Sequence, residues 1–250
     1  MTQNVLFVTT STGQLPDEQE TGFDWPSLVI PYWRLREAGV NIGFASVGGG
    51  KPPGDPATAR DADDEQIGSV NMFLSDEAAI LALADSAALS DVDPTAWSGL
   101  LFVGGLGALW DMAGHDAMQP LVSQAWAEGG ILAAIGTGTV ALLAGRDESG
   151  RALVSGRRVA CVADAEIDAR LDGIEPPIRP ATSLRDRGAL VLTPDGSDEP
   201  ITVEDGRLIT GSDPRAAADV TLQFLDALDV YAPPSERGAG EPGSVDTDEG

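Results

Sequence analysis

Short, mostly apolar runs alternate along this chain with segments whose apolar residues recur at helical spacing. No other feature limits the possible folds as much. A run with no polar face suits the central strands of a parallel sheet, covered by helices on both sides. Such strands are expected over residues 5–9, 40–46, 100–103 and 131–135, and further strands over 158–162, 189–192, 201–204 and 207–210. A helix is expected over 27–38, with Leu28, Tyr32 and Leu35 on one stripe and Gly39 as its stop. Others are expected over 76–87 behind a Ser75 cap, over 117–128 before Gly129 and Gly130, over 137–143, and over 214–228 behind Asp213. The order predicts an α/β domain with a mostly parallel sheet and helices on both faces.

The chain's 250 residues suit one such core. The domain is expected over 1–232. Residues 48–66, rich in Gly, Pro and Asp, read as a surface loop or lid, and 233–250 as an acidic disordered tail. Forty acidic against fifteen basic residues give a net charge of −25, and Lys51 is the sole lysine. That charge repels phosphate backbones and anionic lipid, so neither nucleic acid nor a membrane surface is an expected partner. It suits a salt-rich cytoplasm, where screening weakens self-repulsion. The one cysteine, Cys161, permits no internal disulfide and reads as a buried strand residue. With one His and one Cys, a His/Cys zinc site is excluded. No metal or other cofactor is expected.

Two turns carry the functional information. Gly104-Gly105-Leu106-Gly107-Ala108-Leu109-Trp110-Asp111 follows the strand at 100–103, and Gly136-Thr137-Gly138-Thr139 follows the strand at 131–135. Together with Thr21-Gly22-Phe23, Lys51-Pro52-Pro53-Gly54-Asp55-Pro56 and Asp205-Gly206-Arg207-Leu208-Ile209-Thr210-Gly211-Ser212-Asp213-Pro214, they resemble the ThiJ/PfpI superfamily. The similarity is to its heat-shock-type branch of glyoxalase III and deglycase enzymes. The resemblance implies a flavodoxin-like fold and a homodimer. It also implies a cysteine at the second turn, followed by histidine, a glutamate on the first helix, and histidine in the first turn. Here those positions are Gly136, Thr137, Ser27 and Leu106.

The resemblance therefore implies a scaffold without its nucleophile, a catalytically degenerate member that binds small molecules or protects proteins. The backbone N–H groups of Gly105 and Thr137 are expected to hold a small carbonyl or carboxylate ligand. Thr137 and Thr139 add hydroxyls and Trp110 a wall. The first alternative is a glyoxalase III or deglycase-type enzyme acting on small aldehydes such as methylglyoxal through other groups. A weaker one takes Gly136-Thr137-Gly138-Thr139-Val140-Ala141, with Asp164 after the next strand, as a dinucleotide-binding turn. His115, the only histidine, is expected in an exposed loop near the first turn.

Overall fold

The computed structural model describes residues 3–60, 64–194 and 199–229. The acidic tail expected over 233–250 lies outside them. The chain runs through β1 (Asn4–Thr9), α1 (Trp25–Glu37), β2 (Asn41–Ser46), α2 (Asp64–Ser75), α3 (Glu77–Ala84) and β3 (Ala87–Ala88). It continues with β4 (Gly99–Phe102), α4 (Ala108–Asp111), α5 (Met118–Ala127), β5 (Ile131–Ile135) and a 3-10 helix, Gly136–Ala144. After these come β6 (Arg158–Ala160), α6 (Asp164–Leu171), α7 (Pro180–Asp186), β7 (Leu190–Leu192), β8 (Thr202–Asp205), β9 (Leu208–Gly211) and α8 (Ala217–Ala227).

Seven strands form one sheet in the order β3-β2-β1-β4-β5-β9-β8, parallel except for the β8–β9 hairpin. The predicted doubly wound, flavodoxin-like architecture is the observed one. Alternation along each strand divides the core by face. Leu6, Val8, Leu100, Phe102, Leu132 and Ala134 pack with Leu121 and Val122 of α5 and with Val140 and Leu142 of the 3-10 helix. Val5, Phe7, Leu101, Val103, Ala133 and Ile135 pack with Leu28 and Leu35 of α1 and Phe224 of α8. Burying one such side chain contributes about 1.5–3 kcal/mol, so both faces hold these helices in place.

From β1 the chain winds outward to β2 and β3, then returns past β1 to β4. Ligands of doubly wound sheets sit at this reversal, beyond the carboxyl ends of the strands. In this chain those ends bring Thr9 (β1), Gly104 and Gly105 (past β4), Gly136 (past β5) and Ser212 (past β9) to one edge.

Several expectations are corrected. The strand foreseen at 158–162 is shorter, and its backbone partner is β7 in a separate two-stranded sheet. The helix foreseen over 137–143 is a 3-10 helix, because Thr139 Oγ1 donates to the carbonyl of Gly136 at 2.8 Å and tightens the turn. The cap of α3 is Asp76, accepting from the N–H groups of Ala78 and Ala79, rather than Ser75. The last helix begins as a 3-10 turn, Pro214–Ala216, although Asp213 caps it as expected by accepting from the N–H of Arg215 at 3.0 Å. Helices α2, α4, α6 and α7 and the short strand β3 were not among the expected elements. Among the described residues no single helix is long and apolar enough to cross a membrane.

Candidate active site

Gly136, at the end of β5, has φ +56°. This is the left-handed region that glycine enters freely and other residues enter at a cost of about 1–3 kcal/mol. A Cβ built there would meet nothing closer than Asp213 Cα at 3.8 Å, so the corner has room for a side chain and carries none. The residue lies on a sharp strand-to-helix bend, as the sequence predicted, and lines the same cleft as Ser27.

Across the cleft, Gly105 has φ +130°, and a Cβ there would press on Gly22 O, Phe23 Cα and Asp24 N. This close approach sets the shape of the cleft. The N–H of Asp24 donates to Gly104 O at 2.7 Å, pinning the start of α1 to the β4 turn. The loop behind it is fixed by Phe23 N–H to Pro53 O and Asp55 N–H to Phe23 O.

The walls are Asp24, Ser27, Gly104, Gly105, Gly136 and Thr137, joined by Ser212, Asp213 and Pro214 after β9 and by Val162, Glu166 and Arg170 from α6 and its approach. The cleft spans about 260 Å³ with its open mouth but is narrow, with room for the centre of about one water over only about 10 Å³ of it. Glu166 and Arg170 are exposed at the mouth.

Thr137 Oγ1 accepts from the N–H of Gly105 at 2.8 Å and donates to Gly105 O at 2.7 Å. One of the two backbone donors expected to hold a ligand is thus already taken within the protein. Thr139 turns its hydroxyl to Gly136 O and does not line the cleft. Trp110 is partly buried against the core instead of walling the cleft, and Leu106 is buried in that same core. His115 is half-buried in a loop, its Nδ1 accepting from the N–H of Ala117 at 3.3 Å, and is not a cleft residue. Cys161 is fully buried, and burial first, then the Asp164 charge, pushes its thiol up to about 12. It is a packed core residue just past the end of β6, not the strand residue expected, and has no nucleophilic character.

The dinucleotide alternative is not supported by this geometry. Asp164 lies after β6, outside the main sheet, and its carboxylate accepts from the N–H groups of Ala181 and Thr182 and the Thr182 hydroxyl. It ties down the start of α7.

Asp24 is a cleft residue that the sequence motifs did not single out. Its carboxylate caps α1, Oδ1 accepting from the N–H of Ser27 at 2.9 Å, and the residue is 4% exposed. Burial raises its pKa from 3.8 to about 6, against the Ser27 N–H and hydroxyl and the Arg170 charge, which favour the ionised form; the Asp55 charge adds to the rise. Ser27 Oγ, fully buried beside it, completes no hydrogen bond of good geometry. A local signal existed, since Asp followed by Trp-Pro is a helix start. Its burial depends on a loop about thirty residues away. Among the described residues no group of three His, Cys, Asp or Glu is arranged to hold a metal ion. The cleft is lined by a buried carboxyl, a hydroxyl beside it and a bare corner, and by no thiol.

A model of the DJ-1/PfpI family matches residues 20–227. The glutathione-independent glyoxalase hsp3101 of Schizosaccharomyces pombe is 27% identical over 229 residues, covering 85% of this chain and 91% of that protein. Glyoxalase 3 of Candida albicans is 24% identical, covering 85% and 92%. Among solved structures, the 24 kDa Rapid Encystment Protein of Francisella tularensis superposes with a TM-score of 0.82 at 26% identity, covering 90% of this chain and 99% of that one. The glyoxalase III of Candida albicans gives 0.76 at 22% identity, covering 90% and 97%.

Proposed function

The chain belongs to the DJ-1/PfpI family, and we propose that it handles small α-oxoaldehydes such as methylglyoxal in a glyoxalase-type reaction that uses no thiol. The observation that carries this is Gly136 itself, which keeps the φ +56° corner inside the cleft while presenting no side chain. In this reading Gly136, Thr137, Ser27 and Leu106 stand at the family's cysteine, histidine, glutamate and first-turn histidine positions. The substrate class is drawn from relatives named as glutathione-independent glyoxalases.

The charge of the cleft supports a neutral carbonyl over a carboxylate ligand. Asp24 and Glu166 line it against one guanidinium, Arg170, while Asp213, also in the lining, is paired with Arg215 at 2.9 Å. A carboxylate product meets repulsion there, which favours its release. The test is methylglyoxal consumption with lactate formation, measured in molar KCl. Protein-dependent lactate is expected, and alkylation with iodoacetamide should change the rate by less than about twofold, since the sole thiol is buried and protonated. A rate abolished by alkylation would assign the chemistry to a thiol, and no lactate above a blank would remove the activity.

A second reading, a carbonyl-binding protein without turnover, is favoured by one contact. The Thr137 hydroxyl already occupies the Gly105 N–H. It expects saturable methylglyoxal binding with no lactate.

A further inference from the structure

We propose that the cleft takes the α-oxoaldehyde as its gem-diol hydrate, and that Asp24 carries the proton from C1 to C2. This rests on the glyoxalase-type function proposed above. Three observations converge on it. The corner at Gly136 is vacant, with the nearest atom 3.8 Å from where a Cβ would stand, so an oxygen of the substrate fits where a side chain would project. The cleft spans about 260 Å³ with its open mouth and is narrow, only about 10 Å³ of it having room for the centre of a water. Asp24, 4% exposed, and Ser27, fully buried with its hydroxyl beside that carboxyl, both line that space.

Water adds to the aldehyde to give RC(O)CH(OH)₂, so hydration replaces attack by a protein nucleophile. The ionised Asp24 carboxylate takes the C1 hydrogen as a proton. The C–H electron pair becomes the C1–C2 double bond, and the ketone π pair moves onto its oxygen as an enediolate. Ser27 Oγ is placed to donate to that oxygen. Asp24 then returns the proton to C2, and one hydroxyl proton of C1 passes to the C2 oxygen, giving RCH(OH)COOH. C1 is oxidised by two electrons and C2 reduced by two, so no external oxidant or reductant is needed.

The electrostatics suit this role. A base works best with a pKa close to the operating pH, and burial raises that of Asp24 to about 6. The charged groups around it are Arg170 and Glu166 on α6, Asp55 on the 48–60 segment and Asp213 after β9. Of these, Arg170 favours the carboxylate and Asp55 opposes it.

The experiment compares the full chain with Asp24→Asn, which keeps a side-chain oxygen to cap α1. Lactate formation is expected to fall by about 100-fold or more, with the native melting transition retained. The wild-type kcat/KM is expected to show an acid limb near pH 6, a readout that a purely structural cap would not move. In D₂O, deuterium is expected at C2 of lactate, from exchange of the proton while Asp24 holds it, and its presence excludes an internal hydride shift. Equal rates in wild type and variant, or a profile without inflection between about pH 5 and 7, would overturn it while leaving the glyoxalase-type function standing. Should the wild type form no lactate, that function fails. Asp24 is then judged by hydroxyacetone, whose hydroxymethyl hydrogens should exchange with D₂O in the wild type and not in Asp24→Asn. No exchange in the wild type overturns the assignment.

Discussion

Gly105→Ala is expected to destabilise the fold by about 3–5 kcal/mol, whereas Gly136→Ala costs about 1–2 kcal/mol. Both residues have positive φ and both line the cleft, yet their surroundings differ. A Cβ at Gly105 would meet Phe23 Cα at 2.6 Å and Asp24 N at 2.7 Å, besides Gly22 O. All three are backbone atoms of the segment that starts α1, so relief requires moving the helix that carries Leu28 and Leu35 into the core. It would also pull Asp24 N–H away from Gly104 O. At Gly136 only the backbone conformation is unfavourable, because the nearest atom lies at 3.8 Å. Urea denaturation of the two variants checks this. Equal losses, or a larger loss at Gly136, would mean that the α1–β4 approach is looser than these distances imply. The same contrast bears on chemistry, since Gly136→Cys should fold at a similar modest cost and place a thiol in the cleft.

Elements determined by their own residues were legible in the sequence. Residues 131–135 are apolar throughout and form β5 with the predicted bounds, because a strand covered on both faces needs no information from elsewhere. The corner at Gly136 was legible for a similar reason: a strand running into Gly-Thr-Gly-Thr leaves few other geometries. What depended on distant partners was not legible. Whether residues 158–160 join the main sheet is decided by pairing with β7, which no local pattern specifies. Helix α7 starts at a carboxylate, Asp164, that lies in another element. Trp110 follows the first turn directly, but it packs on the core and not in the cleft. Thr137 was expected to add a hydroxyl for a ligand, and the approach of Gly105 satisfies that hydroxyl internally. Asp24 is legible as a cap and not as a buried acid, since the 52–55 loop that covers it packs back only in the folded chain.

Asp24→Asn is expected to raise stability at pH 7 by about 2–3 kcal/mol and to leave it nearly unchanged below about pH 4. The carboxyl's pKa is raised on folding, from 3.8 to about 6, chiefly by burial. The native state therefore binds this proton more tightly than the unfolded chain does. Between those two values the folded protein is protonated at Asp24 and the unfolded chain is not, so this group's contribution falls as pH rises. At about 1.4 kcal/mol per unit, a shift of about 2 units costs about 3 kcal/mol once pH exceeds the folded pKa, and the cost is constant above it. Asparagine escapes this cost because it is neutral, while its amide oxygen still accepts the Ser27 N–H. The chain carries forty acidic residues in all, so the quantity to measure is the difference between variant and wild type across about pH 4–8. A difference that grows with pH and levels off above about 6 supports a buried, strained acid; a flat difference, or a variant less stable at pH 7, overturns it. A carboxylate kept solely to cap a helix would have no reason to carry this penalty, since asparagine caps as well without it. A gain in stability coupled to a loss of turnover in the same variant would mark Asp24 as a residue retained for its chemistry.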